Sequence, residues 1–281
     1  MCKTDKKVVC EAQIVTNVAI APGTYSLMLD APAVAECVQP GQFVELNLRQ
    51  PDLVLPRPIS IYRAADGVIE LLYQVMGEGT RRLSQMREGD VLGVIGSLGN
   101  GWPLPKIGSS NRWSIDEGVE HALLVAGGIG SAPLALLAQE LKTSGKKITM
   151  VQAARNEELL IAVDFFASLV DEHIIATDDG SRGHEGLITE PLKQLLERSG
   201  NDFDVVYICG PEIMQEVCAK LTLAAGVTTY VSLERLMACG IGACLSCVVP
   251  TVNGLKRVCV DGPVFNAAEV KWDDAKDSRV H

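Results

Sequence analysis

The sequence predicts a multi-domain β plus α/β protein. A six-stranded antiparallel β-barrel comes first, a doubly wound parallel-sheet domain second, and a small cysteine-bearing C-terminal domain last. Three observations predict it. Short alternating apolar runs between turn residues fill the first hundred positions. Strands and helices alternate through the next hundred. Four of the nine cysteines then crowd between positions 239 and 259.

The barrel reading rests on Lys7 to Asn17, Thr24 to Asp30, Gln42 to Leu48, Ile59 to Arg63, Val68 to Val75 and Asp90 to Ile95. Turn signals such as Ala21-Pro22-Gly23, Gln39-Pro40-Gly41 and Asp66-Gly67 separate these runs, as expected of a small closed barrel. A short helix is expected from Thr80, whose hydroxyl can cap Arg81 to Met86. Residues 1–103 therefore form the barrel domain. Pro, Gly, Ser, Asn and Asp dominate 104–119, which reads as a linker. From 120 to 228 the expected order is strand His121–Ala126, a glycine-rich turn, helix Ala132–Thr143, strand Lys147–Ala153 and helix Asp164–Leu169. Strand His173–Thr177, helix Glu190–Glu197, strand Asp204–Cys209 and helix Pro211–Ala225 follow. That alternation means a parallel sheet. Residues 229–281 hold the cysteines, with a loosely ordered tail expected after Val270.

Composition narrows the function. Apolar residues make up 47% of the 281 residues, ample for a core. The net charge of -10 disfavours nucleic acid and anionic lipid as partners. No apolar stretch approaches the roughly 20 residues that span a bilayer, and the N-terminus lacks a secretory apolar segment. The expected location is cytoplasmic. In a reducing compartment, clustered cysteines indicate metal ligation rather than disulfides.

The strongest chemical signal is Cys239-x4-Cys244-x2-Cys247 followed by Cys259, the spacing of plant-type [2Fe-2S] clusters. The small residues Gly240-Ile241-Gly242-Ala243 let the chain wrap a cluster with its amides toward the sulfurs. A structural zinc site is the alternative, although zinc ribbons usually bring two C-x2-C pairs. A second signal is Arg57-Pro58-Ile59-Ser60 with Gly77-Glu78-Gly79-Thr80 at a helix start. Arg57 and the helix amides can meet one pyrophosphate, which suggests a dinucleotide flavin on the barrel. A third is Gly127-Gly128-Ile129-Gly130, between a buried strand and a helix, the context of a nucleotide phosphate turn. Last, Cys209-Gly210-Pro211 ends a parallel strand, where ligands bind, so Cys209 is expected to face a nicotinamide.

These motifs, in this order, resemble the ferredoxin-reductase superfamily. Within it the chain resembles the electron-transfer subunits of class 1B, NAD-dependent dihydroorotate dehydrogenase. Arg57 to Ser60, Tyr73 to Thr80, Leu98-Gly99-Asn100-Gly101, Cys239 to Cys244 and Cys259-Val260-Asp261-Gly262-Pro263-Val264-Phe265 carry that resemblance. It implies FAD against Arg57, Pro58, Ile59, Ser60, Leu72, Tyr73, Gln74, Gly79 and Thr80. It also implies a [2Fe-2S] cluster on Cys239, Cys244, Cys247 and Cys259. NAD would lie at Gly127, Gly128 and Gly130, and Arg155 and Arg182 are the candidates for an NADP 2′-phosphate. The implied partner is an FMN-containing subunit that oxidises dihydroorotate in pyrimidine biosynthesis, in a heterotetramer of two of each. Ser60 would sit near the reactive edge of the flavin, with Cys209 opposite. Two rivals stay open: a flavin/iron–sulfur subunit of an NAD(P)H:ferredoxin or sulfide oxidoreductase, and a non-catalytic, zinc-stabilised binding module. The family usually carries Pro and Phe where this chain has Ser97 and Trp102.

Overall fold

The structure is a computed structural model that describes residues 7–105, 114–115, 118–199 and 202–272. Six antiparallel strands close the barrel: β1 (Val8–Ala21), β2 (Thr24–Asp30), β3 (Phe43–Asn47), β4 (Arg57–Ala65), β5 (Val68–Gln74) and β6 (Val91–Leu98). They lie in the order β1-β2-β5-β4-β3-β6. The period-2 alternation sends Val44, Leu46, Ile59 and Ile61 into the barrel core. Their neighbours Phe43 and Glu45 face outward, opposite Ser60 and Pro58 of the paired strand. A short helix α1 (Pro32–Ala35) covers one end.

The helix expected from Thr80 starts earlier, as α2 (Glu78–Leu83), with Gly77 at its N-cap. Thr80 is therefore in the first turn. Its Oγ reaches backward and accepts from the amides of Met76 (2.9 Å) and Gly77 (3.2 Å). In the expected linker, β7 (Leu104–Pro105) pairs with β8 (Ser114–Ile115), and the remainder lies outside the described residues.

The second half holds a seven-stranded sheet. Its parallel strands are β9 (His121–Gly127), β10 (Lys147–Ala154), β11 (Glu172–Thr177), β12 (His184–Glu185), β13 (Val205–Cys209) and β14 (Thr228–Ser232). Helices α3 (Ala135–Thr143), α4 (Val163–Ala167), α5 (Thr189–Ser199) and α6 (Glu212–Ala224) connect them. β9 and β13 are buried along their whole length, as central parallel strands must be. The helix expected from Ala132 begins as a 3₁₀ stretch over Gly128–Leu134, because Pro133 supplies no amide for an α turn.

The C-terminal part contributes the hairpin β15 (Val248–Thr251) and β16 (Gly254–Arg257), then β17 (Val264–Asn266). β17 pairs antiparallel with β14 and completes the order β12-β11-β10-β9-β13-β14-β17. The division expected between 228 and 229 falls inside β14, the last parallel strand. Trp272, in the expected loose tail, is buried at 7% exposure. No helix among the described residues is long and apolar enough to cross a membrane.

Candidate functional site

Three groups of sequence motifs occupy neighbouring places. On the barrel, Arg57 opens β4, and its Nη1 donates to the carbonyls of Leu55 and Pro56. The guanidinium lies directly on Gly79: a Cβ there would sit 1.8 Å from Arg57 Nε. The glycine is what lets the arginine and the α2 first turn occupy one spot. That turn leaves amides without intrahelical partners beside a cation, which suits a pyrophosphate. Tyr73 stacks on Tyr25 at 5.5 Å, and its hydroxyl donates to Asn17 Oδ1 at 3.0 Å. Ser60 is half-buried on the outer face of β4, Ile59 is in the barrel core, and Leu72 packs against the nucleotide domain. The chemistry of this set fits a dinucleotide flavin.

A cleft of about 1240 Å³ opens at the carboxyl ends of β9, β10 and β13. Gln74 and Met76 of the barrel, Gly127, Gly128 and Gly130, and Gly210 and Pro211 line it. The two glycine turns touch back to back. A Cβ on Gly130 would lie 2.5 Å from the Cys209 carbonyl, and one on Gly127 would lie 2.4 Å from Met214 Sδ. Gly128, at φ +54°, has open space beside it. Backbone can therefore approach a ligand closely, as a dinucleotide turn requires. Cys209 itself is 2% exposed and lies under the floor that Gly210 and Pro211 form. Burial raises its thiol pKa well above the ordinary value. Arg155 lines the cleft, whereas Arg182 is held by Glu157 at 3.5 Å.

The cysteine loop runs from Cys239 to Cys247. Gly240 (φ +63°) and Gly242 (φ +83°) provide left-handed turns. The Cys244 amide donates to Cys239 Sγ at 3.4 Å, and Cys244 Sγ lies 3.1 Å from Ser246 Oγ. The Ser246 hydroxyl and amide lower the Cys244 thiol to about 6, into thiolate range. Burial, with Cys247 beside it, pushes Cys259 up to about 12, a cost that bound iron removes. No three His, Cys, Asp or Glu side chains among the described residues close around a single ion. A two-iron cluster instead spreads four thiolates over two metals. The donor set thus fits the cluster.

Two clamps fix this loop. Arg257 Nε binds Asp261 Oδ2 at 3.0 Å, and its Nη1 donates to the Gly242 carbonyl at 3.3 Å. Asn100 Nδ2 donates to the carbonyls of Asp261 (3.2 Å) and Val264 (2.8 Å), while its Oδ1 accepts from the Val264 amide (3.1 Å). A Cβ on Gly99 would lie 2.4 Å from Pro263 Cδ. The Leu98-Gly99-Asn100-Gly101 and Asp261-Gly262-Pro263-Val264 motifs, far apart in sequence, therefore form one joint between barrel and cysteine domain.

The chain is 38% identical over 272 residues to the electron transfer subunit of dihydroorotate dehydrogenase B (NAD(+)) from Desulforamulus reducens. That match covers 94% of this chain and 99% of the relative. It belongs to that family. The subunit of the same name from Bacillus caldolyticus is 39% identical, covering 89% of this chain and 94% of the relative. The family model for the iron-sulfur cluster binding domain of dihydroorotate dehydrogenase B matches 234–271, and the model for an oxidoreductase NAD-binding domain matches 124–220. Among solved structures, an NADH-dependent reduced ferredoxin-NADP oxidoreductase matches with TM-score 0.82 and 32% identity, over 95% of this chain and 92% of its own. The ferredoxin NADP+ reductase of Neisseria gonorrhoeae, solved with bound FAD and NADP, shares the fold at TM-score 0.66 and 19% identity, over 78% of this chain and 92% of its own.

Sequence reasoning missed several residues that border the cleft and the cysteine loop. Glu234 and Arg235 line the cleft, and Arg235 pairs with Glu212 at 2.8 Å. Glu45 lies completely buried beside the cysteine loop. Only its place on a polar outward position of β3 could have flagged it, and that pattern also fits a solvated strand face.

Proposed function

We propose that the chain is the electron-transfer subunit of an NAD-dependent dihydroorotate dehydrogenase, acting with an FMN-containing catalytic subunit as a heterotetramer of two of each. A [2Fe-2S] cluster on Cys239, Cys244, Cys247 and Cys259 would supply one-electron transfer, and FAD at the Arg57 and Gly79 motifs would supply hydride chemistry toward NAD+. The observation that supports this reading is where the cysteine loop rests. Gly240 packs on β3 beside β4, the strand that carries Arg57 to Ser60. One wall of the barrel thus bears the flavin motif and the loop that would accept electrons.

The residues divide the work. Arg57, Gly79 and Thr80 would hold the flavin pyrophosphate, Tyr73 and Gln74 would border the flavin, and Ser60 would serve its reactive edge. Cys239, Cys244, Cys247 and Cys259 hold the cluster. Gly127, Gly128 and Gly130 let the dinucleotide approach the turn, and Cys209 supports the floor beneath it. Leu236 (64% exposed), Ile241 (48%) and Leu245 (59%) surround the loop with apolar surface suited to a partner.

The test is co-expression with the catalytic subunit. The expected product is one complex containing FMN, FAD, iron and sulfide that reduces NAD+ with dihydroorotate. A second reading has one specific support, the fold match to the ferredoxin-NADP oxidoreductase. It predicts that NAD(P)H reduces ferredoxin through this chain and that dihydroorotate does not bleach its flavin. A colourless, zinc-containing preparation would refute both.

A further inference from the structure

Glu45 is an ionisable side chain to which neither the barrel core nor the nucleotide cleft gives a task. It is 0% exposed, and neither carboxylate oxygen has a hydrogen-bond partner among the described residues. Isolating a carboxylate in this way is costly, and replacing it with a neutral group of the same shape would stabilise a purely structural wall. Its surroundings are specific. On one side is β4, where Pro58 is its register partner and Arg57 the adjacent residue. On the other is the cysteine loop: a Cβ on Gly240 would lie 2.6 Å from Glu45 Cγ and 3.0 Å from Oε1. Burial is the main influence on its ionisation and disfavours the charged form, with Arg57 opposing that effect and Cys244 adding to it. The carboxyl therefore stands in the wall between the flavin strand and the cysteine loop, with Arg57 on the strand side and Arg257 held on the Gly242 carbonyl of the loop.

We propose that the Glu45 carboxylate lowers the potential of the iron–sulfur cluster, so that an electron on the cysteine loop is driven toward the flavin strand. The proposal rests on the functional reading above. A negative charge shielded from water acts strongly on a neighbouring site and opposes the addition of an electron there. Arg57 would offset that charge on the strand that carries the flavin motif, whereas the Glu45 carboxyl packs directly on the loop at Gly240. No reactant beyond the electrons already in transit is needed.

The experiment is an EPR-monitored redox titration of the FAD- and cluster-loaded protein at pH 9, comparing wild type with Glu45→Gln and Glu45→Asp. Glu45→Gln is expected to keep its cluster and raise the cluster midpoint by about 59 mV, a tenfold shift in a one-electron equilibrium. Glu45→Asp, which keeps the charge, should remain near wild type. An unchanged midpoint in Glu45→Gln overturns the proposal. So does cluster loss in Glu45→Gln, whether Glu45→Asp keeps its cluster or not, since the side chain would then support the loop rather than set its potential. A wild-type protein that never acquires a cluster would instead refute the functional reading on which the proposal stands.

Discussion

Removal of the Asn100 side chain should cost far more than its half-exposed position suggests. The amide makes three hydrogen bonds across the joint, to Asp261, to Val264 and from the Val264 amide. Each contributes about 1 kcal/mol net. In Asn100→Ala the buried Val264 amide also loses its acceptor, a penalty of about 1–3 kcal/mol. The backbone bond from Asn100 N to the Gly262 carbonyl (2.7 Å) survives and limits the damage. The expected loss is about 4–6 kcal/mol. Asn100→Asp sharpens the test. Its Oδ1 can still accept from Val264, but the second oxygen faces two carbonyls that Nδ2 had satisfied. Near neutral pH it should therefore be no more stable than alanine, and it should recover in acid once the carboxyl can donate. Urea titrations followed by tryptophan fluorescence give the stabilities, and decay of the iron–sulfur absorbance gives the cluster lifetime. Loss of less than about 0.5 kcal/mol in Asn100→Ala, or an aspartate variant clearly better than alanine, would refute the joint.

Gly79→Ala should abolish tight flavin binding, since the new Cβ would overlap Arg57 Nε at 1.8 Å; flavin content after gel filtration checks this, with Gly77→Ala, which meets nothing within 4 Å, as the control. Asp261→Asn weakens the Arg257 clamp, so iron retention during dialysis should fall several-fold while the far-ultraviolet dichroism persists. Ser60→Ala should slow flavin reduction by NADH in stopped-flow traces without changing flavin content; an equal rate removes its assigned role. Burial raises the Glu45 carboxyl from 4.5 to about 7. The folded cluster-free protein thus holds a proton that the unfolded chain has released, and the stability contributed by Glu45 falls as pH rises from 4.5 to about 7, by about 3 kcal/mol in all, and that contribution is level above it. Glu45→Gln should remove that slope in denaturation midpoints measured from pH 4 to 9; a variant that keeps the slope places its origin elsewhere.

The elements were legible where periodicity was strong. Barrel strands alternate apolar and polar residues, and β13 and β9 after His121 are continuous apolar runs, so position and type follow from the sequence. Helix starts were less so, because Thr80 looks like a cap from its type alone while Gly77 supplies the break in backbone geometry. Cysteine spacing pointed to the cluster loop, and the motifs of Asn100 and of Asp261 to Val264 were visible as separate segments. That they form one joint depends on tertiary approach, which no local pattern encodes. Cys209 shows the limit from the other side. Its place at a strand end suggested a thiol facing a nicotinamide; the structure buries it at 2% exposure, with Gly210 and Pro211 lining the cleft beside it.

The pairing of β17 with β14 has a mechanical consequence. A strand lying beyond the last cysteine is stitched by main-chain bonds into the dinucleotide sheet, so the metal-bearing segment has no free hinge on which to swing. Cutting the chain before residue 234 would strip that strand away and lay bare a row of unpaired amides and carbonyls along β14, a template for self-association. Shortened versions of this protein should precipitate rather than survive as small flavoproteins.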